Sequence, residues 1–325
     1  MKKILFLTAL CLLILLTACS APRLNLLDTT PNPLREFTLE GKGKDKILII
    51  PVGGTISDTP KEGLFSVSPS LVEQVVVQLY KAQDDPQIKA VLLKVNSPGG
   101  TVTASDLLYH ELLLYKSKTK NKIGVIMMDV AASGGYYLSL PADVIMAHPT
   151  TLTGSVGVIF MRPKAVGLMS KIGLGVEVSK FGENKDMGSP FRESSDEERK
   201  LLQKTVENFG NRFIQLVQKH RKLDEKALKE VSTARVFVAE DALRLKLIDK
   251  IGYIRDAVKE TKTIAGLADD ARVVVYRRND IPEDNYYRAA APDAAHMSLV
   301  HIDLPDLLKV RAGFYYLWPG AVNFE

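Results

Sequence analysis

Cysteine is almost absent from this chain: two occur in 325 residues, Cys11 and Cys19, and both fall within the first twenty. Everything after residue 20 therefore has no pair from which to build an internal disulfide, and its stability must rest on packing. No His/Cys cluster has zinc-site spacing, so no metal is expected, and no motif points to a cofactor. An excess of one charge is lacking too. With 43 Lys and Arg against 38 Asp and Glu the formal charge is only +5. Part of that comes from Lys2 and Lys3, and no basic helix with interleaved aromatics is present, which argues against a nucleic-acid partner. Histidine is sparse as well: His110, His148, His220, His296 and His301 are scattered, mostly without strand-end or glycine context. A Ser-His-Asp arrangement stays open on spacing, because such triads assemble from distant segments.

Long apolar runs are missing except at the start. Residues 1–20, MKKILFLTALCLLILLTACS, place two lysines before an apolar stretch too short to span a bilayer comfortably, the layout of a secretory signal. The chain is therefore expected to be exported. From 20 to 45 Pro, Asn, Thr, Gly and Lys dominate, with Pro22, Pro31 and Pro33 breaking any period, and the segment is expected to be a flexible tether. The remainder, 46% hydrophobic and 25% charged over the whole chain, has the composition of an ordinary globular protein.

Residues 46–278 read as one domain. Lys46 to Pro51, Ala90 to Val95, Ile123 to Met128 and Val144 to Ala147 are short continuous apolar runs of the kind that form strands covered on both faces. Helical spacing lies between them: Leu71, Val72, Val75, Val76 and Leu79 follow Ser68 as an expected N-cap with Pro69 at the first helical position, and Leu107, Leu108 and Leu112 mark a second helix. Strands alternating with helices at this spacing imply parallel units with sites gathered at the strand carboxyl ends. Ser195 and Glu198 form a capping-box pattern for a long helix to about Lys222, Asp224 caps a short helix, Ala239 to Leu245 offers another, and Arg272 to Tyr276 reads as a last strand. Residues 279–325 form a C-terminal extension, irregular near 280–300. Its Phe314-Tyr315-Tyr316-Leu317-Trp318-Pro319 cluster is expected to be a buried anchor, with a docking strand or a subunit contact as the alternative.

Ser133 stands in Ala-Ala-Ser-Gly-Gly-Tyr-Tyr (131–137), directly after a buried strand, where a hydroxyl projects from the strand end. Gly134 and Gly135 carry no Cβ and allow close approach of a substrate. A second glycine pair, Gly99-Gly100, follows the preceding strand. In a parallel sheet the two turns are neighbours, so the amides of Gly100 and Gly134 could point at one spot beside the hydroxyl and hold an oxyanion. Taken alone, either pair could simply make a tight turn. Lys185 lies in a polar loop, Gly-Glu-Asn-Lys-Asp-Met-Gly-Ser-Pro (182–190), where a lysine by itself would be merely solvated.

Together, Asn-Ser-Pro-Gly-Gly (96–100), Ala-Ala-Ser-Gly-Gly-Tyr-Tyr, Thr-Leu-Thr-Gly-Ser-Val-Gly-Val (151–158) and Asn-Lys-Asp-Met-Gly-Ser-Pro resemble the signal peptide peptidase A family, from about Lys46 to Tyr253. The resemblance implies an α/β, crotonase- or Clp-protease-like fold of repeated ββα units with a parallel sheet in a single catalytic domain. It implies a serine endopeptidase in which Ser133 is the nucleophile, Lys185 the general base, Gly100 and Gly134 the oxyanion donors, and Ser155 a hydroxyl orienting the lysine. Its substrates would be cleaved signal peptides or other short apolar peptides, and its assembly a homo-oligomeric ring or dome in which serine and lysine meet across a subunit boundary. An inactive lipoprotein scaffold of the same fold is the alternative. Leu16-Thr17-Ala18-Cys19 resembles a bacterial lipobox, which implies a lipid on Cys19, a signal over 1–19 and a membrane-anchored domain outside the cytoplasm.

Overall fold

Lys46 to Ile50 are buried without interruption and so cannot face water on either side. In the computed structural model, which describes residues 33–62, 67–280, 284–288 and 312–321, they begin strand β2 (Lys46–Gly53), near the middle of a nine-stranded sheet. The sheet runs β1 (Arg35–Glu40), β13 (Arg272–Arg277), β2, β5 (Ile88–Ser97), β7 (Lys122–Ala132), β8 (Val144–Ala147) and β12 (Lys250–Ile251). Pairings from β13 to β12 are parallel, and β1 closes the edge antiparallel to β13. β9 (Leu152–Gly154) extends the far end of β7 and carries β11 (Val236–Val238). A two-stranded ribbon, β3 (Lys61–Glu62) with β4 (Val67–Ser68), stands apart.

Alternation along each strand divides the interior in two. Leu48, Ile50, Val91, Leu93, Val125 and Met127 face one core, which packs with helices α1 (Leu71–Asp84), α2 (Val102–Thr119), α3 (Gly134–Ser139) and α5 (Asp196–Arg221). Ile47, Ile49, Ala90, Leu92 and Ile126 face the other, beneath α8 (Ile254–Ile264). Short helices α4 (Val166–Lys171), α6 (Glu225–Val231) and α7 (Ala239–Arg244) complete the connections. The α/β reading with a parallel sheet therefore holds.

Two local expectations are corrected. The first helix is capped by Ser70, not Ser68: the Ser70 hydroxyl accepts from Glu73 N at 3.2 Å, while the Glu73 carboxylate accepts from Ser70 N at 2.7 Å. That reciprocal box satisfies two orphan amides at once and outcompetes proline at the first turn. The tether expected over 20–45 also ends early, because Arg35–Glu40 joins the sheet through Phe37 and Leu39, which pack on the second core. Cys19 lies outside the described residues, and among those described no helix is long and apolar enough to cross a membrane.

Candidate functional site

β7 ends at Ala132 and α3 begins at Gly134, so Ser133 alone makes the turn between them. The turn forces φ 53° and ψ −113° on a residue that carries a Cβ. Such a conformation costs about 1–3 kcal/mol and persists only where its surroundings over-determine it. Here they do: Ser133 N donates to Gly154 O and Tyr137 N donates to Ser133 O, both at 2.8 Å. The side chain is 1% exposed, and its hydroxyl has no hydrogen-bond partner among the described residues. No described histidine bonds to it: His110 is exposed on α2, His148 bonds with Thr150 and His220 with Tyr109, while His296 and His301 fall outside the described residues.

The two glycine turns come together as the parallel order requires. A Cβ on Gly99 would stand 2.7 Å from Gly134 N, closer than a side chain is tolerated, and Gly99 has φ +101°. Gly99 N is engaged, since it donates to Ser97 Oγ at 3.1 Å, and that hydroxyl donates to Gly54 O at 2.6 Å. Gly100 lies in β6 (Gly99–Thr101), whose partner comes from the distant extension: β14 (Gly313–Leu317) runs antiparallel to it, with Tyr316 opposite Gly100. Trp318 N donates to Pro98 O at 2.9 Å, so two residues along the ladder the Gly100 N–H faces the Tyr316 carbonyl. The same carbonyl oxygen is 3.1 Å from where a Cβ on Gly134 would stand. The Tyr316 carbonyl thus lies close to both glycine turns.

β14 is the middle strand of a three-stranded sheet, flanked by β6 and by β10 (Ile159–Met161). Its Tyr316 side chain is fully buried, with ring centroids 4.9 Å from both Tyr137 and Phe213. Tyr316 donates to Phe209 O at 2.9 Å, and Tyr137 donates to Asp106 at 2.6 Å beside Arg212. Burial, then the bond to Asp106, pushes the Tyr137 phenol far above its ordinary value. The anchor reading of the aromatic cluster is met, and so is the docking-strand alternative. What the sequence did not reveal is that the strand docks on Gly100.

Ser155 follows the glycine that accepts from Ser133 N, and it too is left-handed, with φ 50°. It is buried, and its amide donates to Arg235 O at 2.9 Å. Lys185 is elsewhere in the single chain. It is exposed, its amide donates to Gly182 O at 3.2 Å, and its amine has no partner among the described residues. The structure therefore brings Ser133, Ser155, Gly100 and Gly134 into one neighbourhood and leaves Lys185 outside hydrogen-bond contact with the serine. Around Lys185 the segment shows apolar side chains to solvent: Leu168, Ile172, Leu174, Val176, Val178 and Phe181 are all at least half exposed.

Comparison with known proteins decides what the fold is. The Peptidase family S49 model matches residues 115–268 and the Clp protease model residues 65–151. A putative signal peptide peptidase SppA of Enterococcus faecium is 38% identical over 249 residues, spanning 76% of this chain and 72% of that protein. The chain belongs to the signal peptide peptidase A family. It is a serine peptidase on the Clp-protease-like α/β fold. Two longer relatives share the region: the chloroplastic serine protease SPPA of Arabidopsis thaliana is 32% identical over 72% of this chain, and Protease 4 of Haemophilus influenzae 32% over 74%. This chain spans only 34% and 38% of those two.

Proposed function

We propose that this peptidase cleaves remnant signal peptides or other short apolar peptides through an acyl-enzyme on Ser133, with Lys185 of a neighbouring subunit as general base. The observation that carries the reading is Ser133 itself: a strained, buried and unbonded hydroxyl beside a glycine edge that already accommodates an extended strand. A substrate would lie along β6 where β14 lies now, its scissile carbonyl between the amides of Gly100 and Gly134. The Ser133 oxygen attacks the carbonyl carbon as its proton passes to the neutral Lys185 amine. Collapse of the tetrahedral adduct breaks the peptide C–N bond, and the proton passes on to the leaving amine. Water, deprotonated by the same lysine, then attacks the ester and frees Ser133.

A base supplied by a second copy accounts for two features that one chain leaves unmatched: a hydroxyl without a partner, and a lysine on an exposed segment studded with apolar side chains. Ser155 would orient the incoming amine. We further propose that Cys19 carries lipid and holds a ring- or dome-shaped homo-oligomer at a membrane surface outside the cytoplasm, as the lipobox-like run suggests. Mass spectrometry of the mature amino terminus tests the lipid; an unmodified terminus away from Cys19 counts against it.

The decisive experiment treats the assembled protein with a fluorophosphonate and measures hydrolysis of a fluorogenic apolar peptide. Labelling at Ser133, with turnover lost in Ser133→Ala and in Lys185→Ala, is expected. Turnover unchanged in either variant removes that residue from the mechanism. The inactive scaffold has one observation in its favour, the strand lying across Gly100, and predicts neither labelling nor turnover.

A further inference from the structure

The loop that carries Lys185 also carries the group most able to disable it. A lysine acts as a base only while neutral, and a carboxylate near its amine favours the charged form. Asp186 is the next residue in the chain and Glu183 is two before it. The Asp186 carboxylate, however, is already taken. Arg192 meets it as a fork, Nε to Oδ2 at 2.8 Å and Nη2 to Oδ1 at 2.9 Å, and Lys180 adds a third bond to Oδ1 at 2.6 Å. Arg192 Nη2 also donates to the Asp186 carbonyl at 3.1 Å, so the backbone is held together with the side chain.

The other end of the clamp is rooted in the fold. Arg192 Nη1 donates to Glu198 Oε2 at 2.8 Å, and Glu198, 2% exposed, belongs to the first turn of α5. Glu198 accepts from Gly188 N and from Ser195 N, and Arg162 beyond β10 approaches it at 3.8 Å. Burial would raise the Glu198 carboxyl, but the bonds from Arg192, Gly188 N and Ser195 N outweigh it and leave the group below its ordinary value. Residues 186–198 are thereby knitted into one polar unit with a buried carboxylate at its centre. Nothing in its chemistry is needed to bury apolar surface, since three cations and two carboxylates are spent on holding a surface loop.

We propose that Arg192 is a positioning residue for Lys185: it withdraws Asp186 from the amine and fixes the loop on α5, so that the lysine stays neutral when it reaches its serine. The inference rests on the reading of Lys185 as the base. Glu183 is the remaining carboxylate of the loop, and its carbonyl accepts from Lys180 at 2.7 Å. Lys164 and Glu193 pair with each other at the loop's rim. The charged groups of the loop and of the elements that hold it are therefore Lys180, Arg192 and Arg162 against Asp186, Glu183 and Glu198, and of the carboxylates Asp186 is the neighbour of Lys185 in the chain.

The test uses the full assembled protein and two readouts. The first is kcat/KM for the fluorogenic peptide from pH 6 to 11. The second is competitive acetylation of Lys185 against pH in a Ser133→Ala background, which reports the amine's titration without turnover. Arg192→Gln is expected to move both titrations to higher pH by about half to one unit, a three- to tenfold loss of the neutral amine at neutral pH. Asp186→Asn/Arg192→Gln is expected to return both to within about 0.2 unit of the parent. Arg192→Lys, which keeps a charge but loses the fork, should fall between them and serves if the glutamine variant fails to fold. A lower rate with unmoved titrations, or a shift that persists in the double variant, overturns the proposal. Wild-type turnover in Ser133→Ala is a different result: it removes the acyl-enzyme reading and this inference with it, whereas the Arg192 series alone leaves that reading standing.

Discussion

Around Ser133 the chain is held by backbone and close packing, whereas around Lys185 it is held by charge. The serine turn has its amide and carbonyl bonded, glycines so close that a methyl group would clash, and aromatic rings behind it. The lysine loop has no such wall. Phe181 is wholly exposed nearby, and what fixes the loop is the Arg192, Asp186 and Glu198 network. The Ser133 turn is fixed by contacts within one chain, whereas Lys185 makes no bond to the serine in that chain. On the proposed reading, in which a neighbouring subunit supplies Lys185, activity would be a property of the oligomer and not of the fold.

The sharpest way to break the comparison is to remove each half separately. Ser133→Ala and Lys185→Ala should each lower kcat by about three orders of magnitude or more. Mixing the two inactive proteins under conditions of subunit exchange should restore part of the activity. Mixtures that stay inactive although exchange is demonstrated would place both groups in one chain and end the contrast.

Next in size is the glycine cradle. Gly99→Ala puts a methyl group into the Tyr316 carbonyl and next to Gly134 N, at a φ that disfavours any side chain. Destabilisation of roughly 3 kcal/mol or more is expected by urea unfolding, because the neighbours are backbone and cannot step aside. Tyr316→Ala empties a pocket between Tyr137 and Phe213 and should cost about 3 kcal/mol in the stability of the docked strand. If β14 limits access, fluorophosphonate labelling of Ser133 should then quicken several-fold. An unchanged rate would mean that the strand is a fixed wall of the groove.

The smallest effect is that of acid on the lysine loop. Bonds from Arg192 and then Lys180 hold the Asp186 carboxyl well below its usual range, and Glu198 is lowered as well. For depressed carboxyls the stabilising contribution is complete above the unfolded value near ~4 and disappears as pH falls through the lowered folded value. Proteolysis of the 182–190 segment should therefore stay slow at neutral pH and accelerate below about pH 4, before the sheet melts. Simultaneous loss of the sheet would show that the loop has no separate stability.

Much of this was legible in the sequence because it is local. Buried strands announce themselves as Ile-Leu-Ile-Ile or Ala-Val-Leu-Leu; Ser195 and Glu198 mark a helix start by spacing alone; Ser133 is fixed to a strand end by the glycines that follow it. What could not be read depends on residues far apart. Nothing near Gly100 foretells that Tyr316 will lie opposite it. Arg192 belongs to no motif, and its role emerges only once Asp186 and Glu198 converge on it. The edge strand β1 was hidden for another reason: Phe37 and Leu39 are its only apolar residues, set among Arg35, Glu36, Thr38 and Glu40 in a stretch otherwise rich in turn-forming residues.

The ladder between β6 and β14 joins positions 99–101 to 315–317. Closing so long a loop carries an entropic penalty larger than that of the β2–β5 and β5–β7 pairings, whose strands follow one another closely in the chain. Three residue pairs are few to hold such a closure, and they can come apart while β5 and β7 remain zipped along most of their length. Deuterium should therefore enter the Gly100 amide before it reaches Leu92 or Val125, and on the proposed reading such openings would free the edge for a substrate strand.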